Sequence, residues 1–153
     1  MEKIVRTIWN YRADEPYSTN RMQKLSGATQ QAGSEMKISV LVVEDEALVR
    51  MDIVEQLEER GFEVYEAANA REAIFILDET PDIRLVFTDV DMPGSMDGLM
   101  LAAAVRDRWP PIHIIVTSGH RQVDPGSLPK GSRFVAKPYT PDAIAAAITA
   151  MTV

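Results

Sequence analysis

Five short apolar runs, each stopped by a polar or turn-forming residue and separated by segments of helical periodicity, constrain this chain more than any other feature. The runs are Ile38 to Val43, Phe62 to Tyr65, Leu85 to Phe87, Ile112 to Val116 and Phe134 to Ala136. Between the first two, Leu48, Val49, Met51, Ile53, Val54 and Leu57 recur at 3.6-type spacing over Glu46 to Arg60, a helix that Gly61 ends. Asn69 caps a second helix through Leu77, with Ala73, Ile74 and Leu77 inward; Asp97 caps a third, which Pro110-Pro111 forbids beyond Trp109. His120 to Gly131 holds Pro125, Gly126, Pro129 and Gly131, so a fourth helix there is short or irregular. Pro141 opens a closing Ala-rich helix over Asp142 to Met151. Strand and helix thus alternate five times, and right-handed crossovers make this an α/β fold: a five-stranded parallel sheet with helices on both faces.

The central run is the most informative. Leu85-Val86-Phe87 reads as a strand buried on both faces, Pro93-Gly94 stops it, and Asp89 lands at its carboxyl end. In open α/β sheets ligands bind at that edge. The other strands deliver polar groups to the same edge: Glu44 and Asp45 after the first, Thr117 after the fourth and Lys137 after the fifth. Clustered carboxylates repel one another, and a hard divalent cation relieves the repulsion. Oxygen ligands without Cys or ligand-spaced His point to Mg²⁺ or Mn²⁺. With Lys137 and the Thr117 hydroxyl available to hold further phosphoryl oxygens, Asp89 becomes a carboxylate nucleophile poised to accept phosphate. No glycine-rich nucleotide loop competes for that role.

Bulk properties narrow the alternatives. A chain of 153 residues suits one self-sufficient core. A net charge of −7 and a pI of about 4.8 argue against a nucleic-acid surface. The acidity belongs to residues 37 to 153, since residues 1 to 36 hold five basic and four acidic side chains. The absence of cysteine excludes a disulfide framework and fits a reducing compartment. With no apolar run long enough to span a membrane and no secretory pattern, the expected location is cytoplasmic. Residues 13 to 35 are too polar to offset their ordering entropy, so residues 1 to 36 read as a disordered extension. Within it Ile4, Val5, Ile8 and Trp9 form only a short stripe.

Leu41-Val42-Val43-Glu44-Asp45-Glu46, Phe87-Thr88-Asp89-Val90-Asp91-Met92-Pro93-Gly94, Met96-Asp97-Gly98, Val116-Thr117-Ser118-Gly119 and Phe134-Val135-Ala136-Lys137-Pro138-Tyr139, in this order, resemble the receiver domain of two-component response regulators over residues 37 to 153. The resemblance implies a doubly wound, flavodoxin-like sheet in the order 2-1-3-4-5 with five flanking helices. It implies that Asp89 is the phosphoacceptor for a sensor histidine kinase or a histidine phosphotransfer protein. Asp45, Asp89 and the main-chain carbonyl of Asp91 would ligate Mg²⁺, with Glu44 acting through water. Thr117 and Lys137 would hold phosphoryl oxygens, Phe134 would be the switch aromatic moving with Thr117, and Lys137-Pro138 would be cis. Such a protein catalyses only its own phosphorylation and dephosphorylation and signals to a further protein by phosphorylation-dependent contact. With no output domain after Val153, a stand-alone receiver is the expectation.

Three features depart from the family's pattern: Glu44 in place of Asp, a second acid at Asp91, and the Pro- and Gly-laden stretch at His120 to Gly131. Asp91 and small Gly119 leave room for a hydrolytic water, from which a short-lived phosphoryl group is expected. His113, inside an apolar run, reads as a core imidazole, His120 as a loop residue near the site, Asp97 as a helix cap, and Trp109 and the methionines as packing. The rival from another class is a haloacid-dehalogenase-like phosphohydrolase with Asp89 as nucleophile and Asp91 as general acid. Its paired-Asp motif normally follows the first strand, and Met92-Pro93 fits it poorly. A degenerate scaffold that never takes phosphate is a second rival, opposed by the intact Asp89, Thr117 and Lys137.

Overall fold

The computed structural model describes residues 36–119 and 122–153. The stripe at Ile4 to Trp9, the polar stretch 13 to 35 and His120 lie outside the described residues. In chain order the elements are β1 (Ser39–Val43), α1 (Ala47–Glu59), β2 (Glu63–Ala67), α2 (Ala70–Glu79), β3 (Ile83–Asp89), α3 (Gly98–Arg108), β4 (His113–Ser118), a 3-10 turn (Pro125–Ser127), β5 (Ser132–Ala136) and α4 (Pro141–Thr152). The strands form one parallel sheet in the order β2-β1-β3-β4-β5. Among the described residues four α-helices flank it, and one 3-10 turn stands in the fourth-helix segment, where closely spaced Pro and Gly forbid a longer run.

Local chemistry explains most boundaries. Asn69 and Asp97 accept the backbone N–H of Glu72 and Met100, and Glu72 reaches back to the N–H of Ala68. Thr140 caps α4, with Pro141 in its first turn. Gly61 leaves α1 at φ +93°, a conformation that favours glycine. Lys137-Pro138 is cis.

The core lies on both sides of the sheet. Leu41, Val43, Val86, Val90, Ile114 and Val116 pack with Ala73 and Leu77 of α2 and Leu101, Ala102 and Val105 of α3. Alternate strand residues, Val40, Val42, Leu85, Phe87 and Ile115, point to the opposite face and are buried too. The helices α1 and α4 pack against each other and supply Ile53, Val54, Leu57, Ile144 and Ile148, and Arg60 pairs with Asp142 at 2.8 Å between them.

The helical periodicity over Glu46 to Arg60 overstates the inward face of α1. Ile53, Val54 and Leu57 are buried, whereas Leu48 and Met51 face solvent. Those two fall on the side of the helix turned away from Ile53, Val54 and Leu57, and so away from the sheet. His113 likewise is half-buried at the very start of β4 and is not a core imidazole. We therefore expect Leu57→Ala to cost about 2–5 kcal/mol in urea unfolding. Leu48, 82% exposed, should tolerate alanine within about 0.5 kcal/mol.

Candidate functional site

Parallel register brings the strand ends together. Asp89 pairs with Thr117 across β3 and β4, Val43 with Thr88 across β1 and β3, and Ser118 with Ala136 across β4 and β5. The ladder continues one residue past the strands. The Glu44 N–H donates to the Ala67 carbonyl (3.0 Å), the Val90 N–H to Thr117 (2.9 Å) and the Lys137 N–H to Ser118 (3.1 Å). Main-chain bonding thus fixes where Glu44, Asp89, Thr117 and Lys137 start, before any side chain is considered.

The side chains converge from those starting points. Lys137 Nζ donates to Asp89 Oδ2 at 3.1 Å and lies 3.6 Å from Glu44 Oε2. Carboxylate oxygens of Glu44, Asp45 and Asp89 all lie within 4.8 Å of one another, close enough to grip one hard cation. Glu44 and Asp89 are buried, and Asp45 is half-exposed. The other Asp89 oxygen accepts the Asp91 N–H at 3.3 Å. Asp91 itself is exposed, and its carboxylate accepts the Ser118 hydroxyl at 3.4 Å. Thr117 Oγ1 is buried and, among the described residues, has no hydrogen-bond partner. A buried hydroxyl in that condition costs about 1–3 kcal/mol unless something bonds to it.

Charge and burial set the protonation of the group. Burial pushes the Glu44 carboxyl up to about 7, against the lowering effects of the Glu46 N–H and Lys137; Asp89 and Asp45 push it higher. Burial pulls Lys137 down, but its hydrogen bond to Asp89 and the charges of Glu44 and Asp89 outweigh this, leaving it raised and firmly cationic. Burial also raises the Tyr139 hydroxyl to about 12, despite Lys137. The Tyr139 ring meets Phe87 edge to face, 5.5 Å between centroids.

Sequence reasoning named the four groups that meet here, together with Asp45 and Asp91. Gly119 also falls in place, its Cα side facing the Lys137 stem. Phe134 is half-buried on β5 and packs against the core from its edge. Asp97 caps α3 and is not one of the converging acids. Two supporting residues were missed. Arg50 donates to the Glu44 carbonyl at 2.7 Å and faces Glu66 at 3.8 Å. Tyr139 backs the site from beyond the cis proline. A basic residue in the helix directly after an acidic strand end was the available signal for Arg50.

The response regulator receiver domain family model matches residues 40–149, and the chain belongs to that family of two-component signalling domains. The sensor kinase CckA of Brucella abortus is 35% identical over 97% of this chain, a match that extends into the residues ahead of the receiver segment. This chain spans only 16% of that kinase. Among solved structures, a response regulator receiver protein from Sinorhizobium medicae superposes with a TM-score of 0.71 at 27% identity, covering 78% of this chain and 97% of the other. The receiver domain of the hybrid histidine kinase CckA superposes at 0.65 with 32% identity, covering 75% and 99%. Receiver domains work with histidine kinases. Among the described residues, no helix is long and apolar enough to cross a membrane.

The raised Glu44 has a consequence for stability. Unfolded, its carboxyl titrates near 4.5; folded, near 7, so between these values the folded state binds more protons and stability falls as pH rises. Metal-free protein should therefore lose stability from about pH 4.5 to 7 relative to Glu44→Gln, read as urea midpoints across that range. Parallel profiles for the two proteins would show that Glu44 holds no such proton.

Proposed function

We propose that Asp89 accepts a phosphoryl group from the phosphohistidine of a sensor kinase or a histidine phosphotransfer protein, in a reaction that requires Mg²⁺ or Mn²⁺. What carries this reading is the junction of Asp89 with the Lys137 ammonium at 3.1 Å, beside a buried Thr117 hydroxyl with no partner among the described residues. That junction offers a nucleophile, a fixed positive charge and an unused donor at one point.

One Asp89 oxygen attacks phosphorus, the bond from phosphorus to the imidazole nitrogen breaks, and the nitrogen leaves with the electron pair and takes a proton. Lys137 exchanges its contact with Asp89 for a phosphoryl oxygen, so the charge it already neutralises is replaced by another. The Thr117 hydroxyl donates to a second oxygen, satisfying a group otherwise buried without a bond. Asp45, Asp89 and the main-chain carbonyl of Asp91 would hold the cation, with Glu44 acting through water. A cation held there would offset phosphoryl charge. The mutual proximity of the Glu44, Asp45 and Asp89 oxygens supports this donor set.

Movement of Thr117 toward the phosphoryl group and of Phe134 inward would then change the β4–β5 surface read by a further protein. Phe134 stands half-buried at the sheet's edge, packed against the core from outside, which supports such a role. We assign the phosphoacceptor unit to residues 37 to 153 and treat residues 1 to 36 as an extension outside it. No catalysis beyond self-phosphorylation and self-dephosphorylation is invoked, and a cytoplasmic location follows from the proposed donors.

Mixing the protein with a panel of phosphorylated histidine kinases and Mg²⁺ should label it stoichiometrically from one donor. Asp89→Asn should remain unlabelled, and chelation should abolish transfer. Thr117→Val and Lys137→Gln should each slow labelling by about 10²–10³-fold, the loss typical of a missing charge-stabilising donor. Sustained turnover of phosphate esters, with no trapped aspartyl phosphate, would point instead to a hydrolase using Asp89 and Asp91.

A further inference from the structure

We propose that Gly98 is a positioning residue for the acid site: its missing side chain lets the start of α3 back directly onto the Asp89–Val90 peptide and so fixes where the Asp89 carboxylate reaches. This rests on the phosphoacceptor reading above. A Cβ built at Gly98 would stand 1.9 Å from the Asp89 carbonyl oxygen, 2.7 Å from its carbonyl carbon and 2.8 Å from Val90 Cα. All three are backbone atoms, so no side-chain rotation relieves the collision.

Hydrogen bonds fix that peptide on the sheet and tie the next one, Val90–Asp91, to the helix. The Gly98 N–H donates to the Val90 carbonyl (2.9 Å), the Val90 N–H to the Thr117 carbonyl (2.9 Å), and the Thr88 hydroxyl to the Asp89 carbonyl (2.9 Å). A side chain at position 98 forces one of two shifts. Either α3 backs away and the Gly98–Val90 bond breaks, or the 89–90 peptide turns and loses Thr117 and Thr88. The first frees the Val90–Asp91 peptide, whose N–H braces the Asp89 carboxylate, and the second moves Asp89 itself. Asp97 secures the same seat from the helix side, because its side chain caps α3 at the Met100 N–H.

Mg²⁺ affinity by calorimetry and the rate of labelling by phosphorylated kinase are to be measured on the intact chain, with thermal stability recorded alongside. Gly98→Ala should weaken Mg²⁺ binding and slow labelling by at least tenfold. Gly61→Ala is the control: its φ of +93° strains any side chain, but nothing lies within 4 Å of its Cβ and it sits at the far end of the sheet. That variant should lose stability while keeping wild-type Mg²⁺ affinity. Should Gly98→Ala fail to fold, Asp97→Ala carries the test. It should weaken Mg²⁺ binding several-fold, and Asp97→Asn, which keeps a capping oxygen without the charge, should restore it. Wild-type affinity in Gly98→Ala, or in Asp97→Ala when the former is unfolded, overturns the positioning role. A wild-type protein that binds no Mg²⁺ and takes no label overturns the phosphoacceptor reading instead.

Discussion

Three carboxylates gathered at one edge of a sheet repel one another, and the Lys137 ammonium is what makes their arrangement tolerable. It lies 3.1 Å from Asp89 and 3.6 Å from Glu44, on a strand that enters the sheet last in sequence. The contact therefore closes a loop of 48 residues and ties the far side of the sheet to its centre. Its balance is incomplete, since one positive charge faces three acids. Burial, with a smaller push from Asp89 and Asp45, raises the Glu44 carboxyl to about 7, so that part of the negative charge is taken up by a proton. A divalent ion and a phosphoryl group would together redistribute the same charges, which is why the proposed reaction suits this site.

That arrangement depends on register more than on side-chain reach. Because Asp89 is paired with Thr117, and the ladder runs on to place Glu44 and Lys137 one step beyond their strands, the groups start within a few ångströms of each other. The flanking helices supply rigidity. The buried faces of α2 and α3 pack under one side of the strand ends, and α1 and α4 under the other. Arg50 adds a polar brace by holding the Glu44 carbonyl from α1.

Much of this was legible in the chain. Apolar runs ending in Glu44-Asp45, Asp89, Thr117 and Lys137 identify both the strands and the edge, because period and position in an α/β sheet are tightly coupled. Asn69 and Asp97 announced their helices by capping chemistry. Periodicity misled where an apolar residue lies on the outer face of its helix: Leu48 and Met51 are apolar yet meet solvent. His113 sits at a strand start, where an apolar neighbourhood in sequence does not mean enclosure in space. The Thr117 hydroxyl, without a partner among the described residues, and the tight approach of Gly98 to Asp89 depend on three-dimensional distances, and nothing in a single sequence encodes those.

The short turn at Pro125–Ser127 gives the two edges of the sheet unequal cover. At the opposite edge β2 buries Val64 and Ala67, whereas no residue of β5 is buried, and Arg133 and Ala136 face solvent outright. Fewer apolar contacts must be broken to loosen β5 than to disturb the sheet's centre, so amide protons along that border will exchange with solvent before those of the middle strands. The domain is thus mechanically lopsided: a stiff keel of inner strands carries the acids, and a pliant gunwale carries Phe134 beside Lys137.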